Sequence, residues 1–124
     1  MGANVADFSV IRDRAFALDV NGLDSERINF DFRANFLADL DGIVTFMIRT
    51  SNDLRLRIDI NNTPIAEEDI VDGNFERLYQ EVFPMSSISF GGIFGLGRQE
   101  ATFTALRGSG SFSDVVVWYR RDSE

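Results

Sequence analysis

The chain has 124 residues, a net charge of −8, no cysteine and no histidine, and all twelve of its basic residues are arginine. Disulfides, thiolate metal sites, imidazole bases and lysine Schiff bases are therefore excluded, as are a Ser-His-Asp triad and a lysine-bearing phosphate loop. An acidic chain without a basic stripe also lacks the footprint that phosphate backbones require, which argues against a nucleic-acid partner.

The length suits one domain, residues 1–124, large enough to bury about two-thirds of its unfolded surface without covalent staples. The opening MGANVADFSVIRDRAF has no basic start followed by an apolar run and does not read as a signal peptide. No run of about 18 apolar residues occurs, so no membrane-spanning helix is expected. The lack of cysteine leaves the compartment open.

Period-two alternation dominates the chain. Residues 6–10 (ADFSV) and 15–20 (AFALDV) predict strands with Phe8, Val10, Phe16, Leu18 and Val20 inward. Residues 28–36 (INFDFRANF) alternate apolar with polar throughout. Asp41-Gly42 reads as a hairpin turn into a strand at 43–50, and Ser51-Asn52-Asp53 turns the chain into LRLRIDI at 54–60. Together these three strands predict an antiparallel meander with one wet, charged face.

Asn61-Asn62 predicts a tight turn into a short edge piece at Thr63-Pro64-Ile65, because proline cannot donate to a ladder. Residues 66–74 (AEEDIVDGN) read as an acidic loop. Residues 75–84 (FERLYQEVFP) fit helical spacing with Asn74 as N-cap, and they also fit a strand stopped by Pro84; the β-rich surroundings favour the strand. Further strands are predicted at 86–90, 101–106 and 112–121, with 108–111 (GSGS) as a flexible turn. The sum is an all-β antiparallel sandwich of about eight or nine strands.

The segment SFGGIFGLG at 89–97 superficially resembles a phosphate-cradling loop. A dinucleotide fingerprint needs a third glycine and a following helix; here Glu100 stands at the third position and a strand pattern follows. Ile93, Phe94 and Leu96 are large apolar residues for a loop, and they either plug the sandwich or contact a partner. In the last strand, Ser113, Val115, Val117 and Tyr119 fall on one face, and Phe112, Asp114, Val116 and Trp118 on the other. Both faces are apolar. Either a loop covers the second face, or Trp118 stands on it as a stacking platform for sugar rings, with Asp114 and arginines bonding hydroxyls.

Oxygen-rich stretches at Asp39/Asp41 and at Glu67, Glu68, Asp69 and Asp72 raise the possibility of a structural calcium, although neither matches an EF-hand loop. No pair of the chain's acids is singled out for glycoside hydrolysis, so no catalytic residue is expected and no other cofactor is implied.

The succession LRLRIDINNTPI, an acidic stretch, ERLYQEVF, SISF, a glycine-containing loop and GSFSDVVVWYRR resembles jelly-roll carbohydrate-binding modules and galactose-binding-like sandwiches over residues 28–121. The resemblance implies a non-catalytic, lectin-like module that holds sugar on a sheet or at loop tips and often carries a structural calcium. It makes Asp114 the acidic position of the last strand and Trp118 the platform; the reading of the whole chain adds Tyr79 and Arg120 as further ligand contacts. The apolar stretch in 91–100 departs from the short turn expected there. It leaves a second reading, an interaction protein or homo-oligomer that assembles through Ile93, Phe94, Leu96 and the last strand.

Overall fold

Residues 4–12, 14–31, 37, 40–50, 53–70, 76–87 and 98–122 are described by a computed structural model. Alternation makes strands wherever it is sustained: β1 (Asn4–Arg12), β2 (Phe16–Asp19), β3 (Ser25–Asp31), β4 (Asp41–Arg49), β5 (Leu54–Ile60), β6 (Thr63–Ile70), β7 (Arg77–Pro84), β8 (Arg98–Arg107) and β9 (Ser109–Asp122). A single turn of 3-10 helix, Met85–Ser87, follows β7. All pairings are antiparallel. One layer has the order β1-β9-β4-β7, with β2 alongside β1 on the same flank of β9; the other has the order β3-β8-β5-β6. The protein is an all-β sandwich.

The core lies between the layers and is built from every second residue of each strand. Leu54, Leu56, Ile58 and Ile60 of β5 face Val44, Phe46 and Ile48 of β4, with Phe103 of β8 and Val115 and Val117 of β9 among them. Phe46 and Phe103, from opposite layers, meet edge to face at 5.3 Å between ring centroids, and Phe112 lies 5.8 Å from each. These contacts join the two sheets directly and carry a preference of their own beyond the area they bury.

The predicted meander does not form. β3 and β5 both pair with β8 in one layer, while β4 lies in the other. The chain crosses between layers at six of its eight connections, as Greek-key and jelly-roll sandwiches do. Sequential neighbours with matching alternation are thus not neighbours in the sheet. Asp41-Gly42 is not a turn either, because both residues pair within β4. A Cβ on Gly42 would stand 2.5 Å from the Phe83 ring and 3.0 Å from Met85 Sδ, so the glycine serves close packing.

Four other expectations are corrected. Glu67, Glu68 and Asp69 lie on β6, which runs to Ile70, and not in a loop. Residues 109–111 begin β9; the chain changes layer at Gly108, with φ of 76°. Phe8 and Val20 are exposed, not inward. Met85–Ser87 is a 3-10 turn where a strand was expected, and residues 88–90 lie outside the described residues. The strand reading of 75–84 holds as β7, and Pro64 sits on the edge strand β6, as its missing donor requires. The predicted 28–36 strand is described as far as Asp31; residues 32–36 lie outside the described residues.

The Asn61-Asn62 turn is present, with φ of 50° and 67°. It links β5 to β6 as a two-residue hairpin in the twist-compatible conformation. Asn61 is buried; its side chain donates to Gln99 Oε1 at 2.6 Å and accepts from the Glu100 amide at 2.9 Å.

Candidate functional site

The two outward faces of the sandwich differ in chemistry. On the β3-β8-β5-β6 layer the charges neutralise one another. Arg55 bridges Glu67 and Asp69, Arg107 reaches Asp69 at 2.8 Å, and Arg57 reaches Asp59 at 3.0 Å. The Arg55 side chain hydrogen-bonds Asp69 and so holds its carboxyl below the ordinary aspartate value. The charged groups across β5, β6 and the end of β8 are thus paired with one another.

The outer face of the β1-β9-β4-β7 layer is apolar at its centre. The register places Phe8 opposite Trp118, Trp118 opposite Ile43, and Ile43 opposite Val82, a row that crosses all four strands. Phe8, Trp118, Val82 and the neighbouring Leu78 are exposed. Large apolar side chains gathered on one face, and not scattered singly, mark a surface that meets something.

Trp118 is fixed within this row. Its indole Nε1 donates to Thr45 Oγ1 at 3.0 Å, and the Phe8 ring stands 5.2 Å away at a tilt of 41°. The residue is nevertheless 39% exposed. Shallow depressions open on either side of it. One, of about 350 Å3, is lined by Ile43, Thr45, Leu78, Gln80 and Trp118. The other, of about 170 Å3, is lined by Ala6, Asp41, Ile43, Trp118, Tyr119 and Arg120. Each combines an aromatic wall with hydroxyl, amide, carboxylate or guanidinium groups, the composition of a small-ligand site. A further depression of about 320 Å3 lies near Arg49 and Ser109–Ser111 but has no aromatic wall.

No family model matches the sequence, and a search of curated proteins finds no similar sequence. Solved structures do match in fold. A mutant of a carbohydrate binding module of family 29 superposes with a TM-score of 0.52 at 10% identity, covering 94% of this chain and 92% of that one. The C-terminal family 6 carbohydrate-binding module of LamC, a marine laminarinase from Zobellia galactanivorans, gives 0.51 at 7% identity over 86% and 99%. The likeness is one of fold, a β-sandwich that these modules share with this chain. A β-porphyranase of glycoside hydrolase family 86 from the human gut bacterium Bacteroides plebeius contains a region that matches with a TM-score of 0.68 at 12% identity. This chain spans 99% of its own length in that match and about a fifth, 22%, of the enzyme's.

Within this sandwich, the sequence-predicted ligand residues separate. Trp118 and Arg120 lie two residues apart on the outer face and share a depression. Asp114 is exposed but sits at a β-bulge with φ of 53°, where the β9 register shifts against β4. The bulge changes which parity faces the core: Phe112 is buried before it, Val115, Val117 and Tyr119 after it. The predicted grouping of Phe112 with Trp118 is corrected accordingly. Tyr79 faces inward at the β7 edge, packed 5.5 Å from Phe46, and is not on the Trp118 face.

Burial, with Glu68 and Glu81 nearby, raises the Tyr79 phenol above its ordinary value; burial and Glu68 raise Glu81. Asp41 is exposed on β4 and lines the smaller depression, while Asp39 and the segment with Ile93, Phe94 and Leu96 lie outside the described residues. Among the described residues no three carboxylates gather as a metal site requires, and no helix is long and apolar enough to cross a membrane.

Sequence reading missed Phe8, Ile43, Thr45 and Gln80 as neighbours of Trp118. Which strands flank β9 is set by layer crossings that leave no local signal.

Proposed function

We propose that the protein is a non-catalytic carbohydrate-binding module that receives its ligand on the outer face of the β1-β9-β4-β7 sheet, across Trp118. The observation that carries this reading is an indole held rigid by Thr45 and Phe8 yet open to solvent between two polar-rimmed depressions. A fixed aromatic plane receives the C–H face of a sugar ring at little entropic cost, and the rim groups bond its hydroxyls. Arg120 and Asp41 supply a donor fork and an acceptor on one side; Thr45 and Gln80 supply a hydroxyl and an amide on the other.

The neighbours' fold supports the reading, since proteins named as carbohydrate-binding modules share it. The depressions are shallow and their lining includes one carboxylate, Asp41, whereas glycoside hydrolysis uses a pair.

Trp118 is the only tryptophan in the chain, so its emission reports this site alone. Titration with soluble oligosaccharides should change that emission saturably for at least one sugar. A panel of neutral and acidic glycans that leaves both intensity and wavelength unmoved would reject the site.

A further inference from the structure

β7 ends the first layer. Its eight residues pair with β4 without a break in register, and among the described residues no strand pairs with its other edge. Natural edge strands are blunted by charges, prolines, bulges or inward-facing acids. β6 and β1 show such devices. β6 carries Pro64, three successive acids and a register shift, and β1 has a register shift between Val10 and Arg12. The Arg12–Glu26 ion pair, at 3.4 Å, ties β1 to β3 across the layers on that side. β7 carries an inward-facing acid, Glu81, and a proline only at its end, Pro84, and it presents Leu78 and Val82, 65% and 53% exposed, on its outer face.

The sequence of β7 is complementary to itself. Consider two copies running antiparallel about a two-fold axis through Gln80. Leu78 then stands opposite the partner's Val82, and Val82 opposite the partner's Leu78, both pairs on the outer face. Gln80 meets the partner's Gln80, and paired amides satisfy each other's donor and acceptor. On the inner face, Tyr79 meets the partner's Glu81, and Glu81 in turn has the partner's Tyr79 opposite and the partner's Arg77 on one diagonal. Glu81 faces inward at this edge, a placement that ordinarily guards against pairing; in this register it gains a phenol donor and a guanidinium. Among the described residues, the side-chain polar groups of Tyr79, Gln80 and Glu81 have no hydrogen-bond partner within one chain.

From this edge we infer that two copies of the protein join β7 to β7 in antiparallel register about Gln80, extending each four-strand path into one continuous sheet. The axis runs perpendicular to the sheet, so both outer faces look the same way. The apolar row through Phe8, Trp118, Ile43 and Val82 then continues onto the partner's Leu78. With strands about 4.8 Å apart and about 3.4 Å per residue, the two Trp118 rings stand roughly 27 Å apart on one surface. If that face binds glycan as proposed above, the dimer is bivalent for a polymeric ligand, and avidity follows without any new contact.

The test needs no sugar, so its failure is distinct from failure of the carbohydrate reading. Sedimentation velocity of the full chain should show a dimer, and Gln80→Lys, which sets two ammonium groups against each other on the axis, should sediment as a monomer. The chain has no cysteine, so single-cysteine variants report register cleanly. Gln80→Cys should form a disulfide-linked dimer on mild oxidation, because directly opposed residues fall within disulfide reach. Leu78→Cys should not, its two copies lying about 14 Å apart. A wild-type monomer at every concentration, a dimer that survives Gln80→Lys, or equal cross-linking of the two cysteine variants would each overturn the inference.

Discussion

Asn61 is the residue on which the hairpin between β5 and β6 depends. It holds a positive φ that asparagine tolerates and alanine does not, and its buried amide closes two hydrogen bonds to β8. Asn61→Ala should cost about 1–3 kcal/mol, read as a lower denaturation midpoint at unchanged slope. Asp69 shows the opposite kind of contribution, exposed and electrostatic. Its pKa is depressed by Arg55, so its stabilisation is present above the ordinary aspartate value and is lost as pH falls through the lower, folded one. Asp69→Asn should therefore lower the midpoint slightly at neutral pH, and the gap to the wild type should close in strong acid; a constant gap at all pH would contradict this origin. The Asn61-Asn62 turn was legible in sequence because its conformational demand is local. Asp41-Gly42 was not, because its glycine answers to the Phe83 ring, a neighbour distant in sequence.

At the scale of elements, alternation identified most strands but not their partners. LRLRIDI at 54–60 is found as β5 without change, since four apolar residues on one parity allow one inward face. The last strand was half legible. Alternation put Val115, Val117 and Tyr119 together, and the bulge at Asp114 moved Phe112 to join them in the core. No residue pattern announced that bulge, because a single inserted residue shifts parity without changing composition. The aromatic contacts among Phe46, Phe103 and Phe112 depend on this shift. Phe46 is fully buried, and Phe46→Ala should destabilise by about 3–5 kcal/mol in equilibrium unfolding. A loss under about 1 kcal/mol would mean that the two layers are not joined through this ring.

For the whole molecule, the important asymmetry is between two outward faces built from the same strand pattern. One binds its own charges together, leaving little unsatisfied for a ligand; the other holds an anchored indole among exposed apolar side chains. The resemblance to carbohydrate-binding sandwiches was readable in the order of strand-like segments. The composition of the Trp118 face was not, because it needs Phe8 from one end of the chain and Ile43 and Val82 from its middle. The same parity that assembles this face removes Tyr79 from it. The most direct measurement is calorimetric titration of wild type, Trp118→Ala and Tyr79→Phe with whichever soluble glycan perturbs the Trp118 emission. The account predicts that Trp118→Ala weakens binding roughly thirtyfold or more while Tyr79→Phe binds each glycan as the wild type does. Full affinity in Trp118→Ala would contradict it.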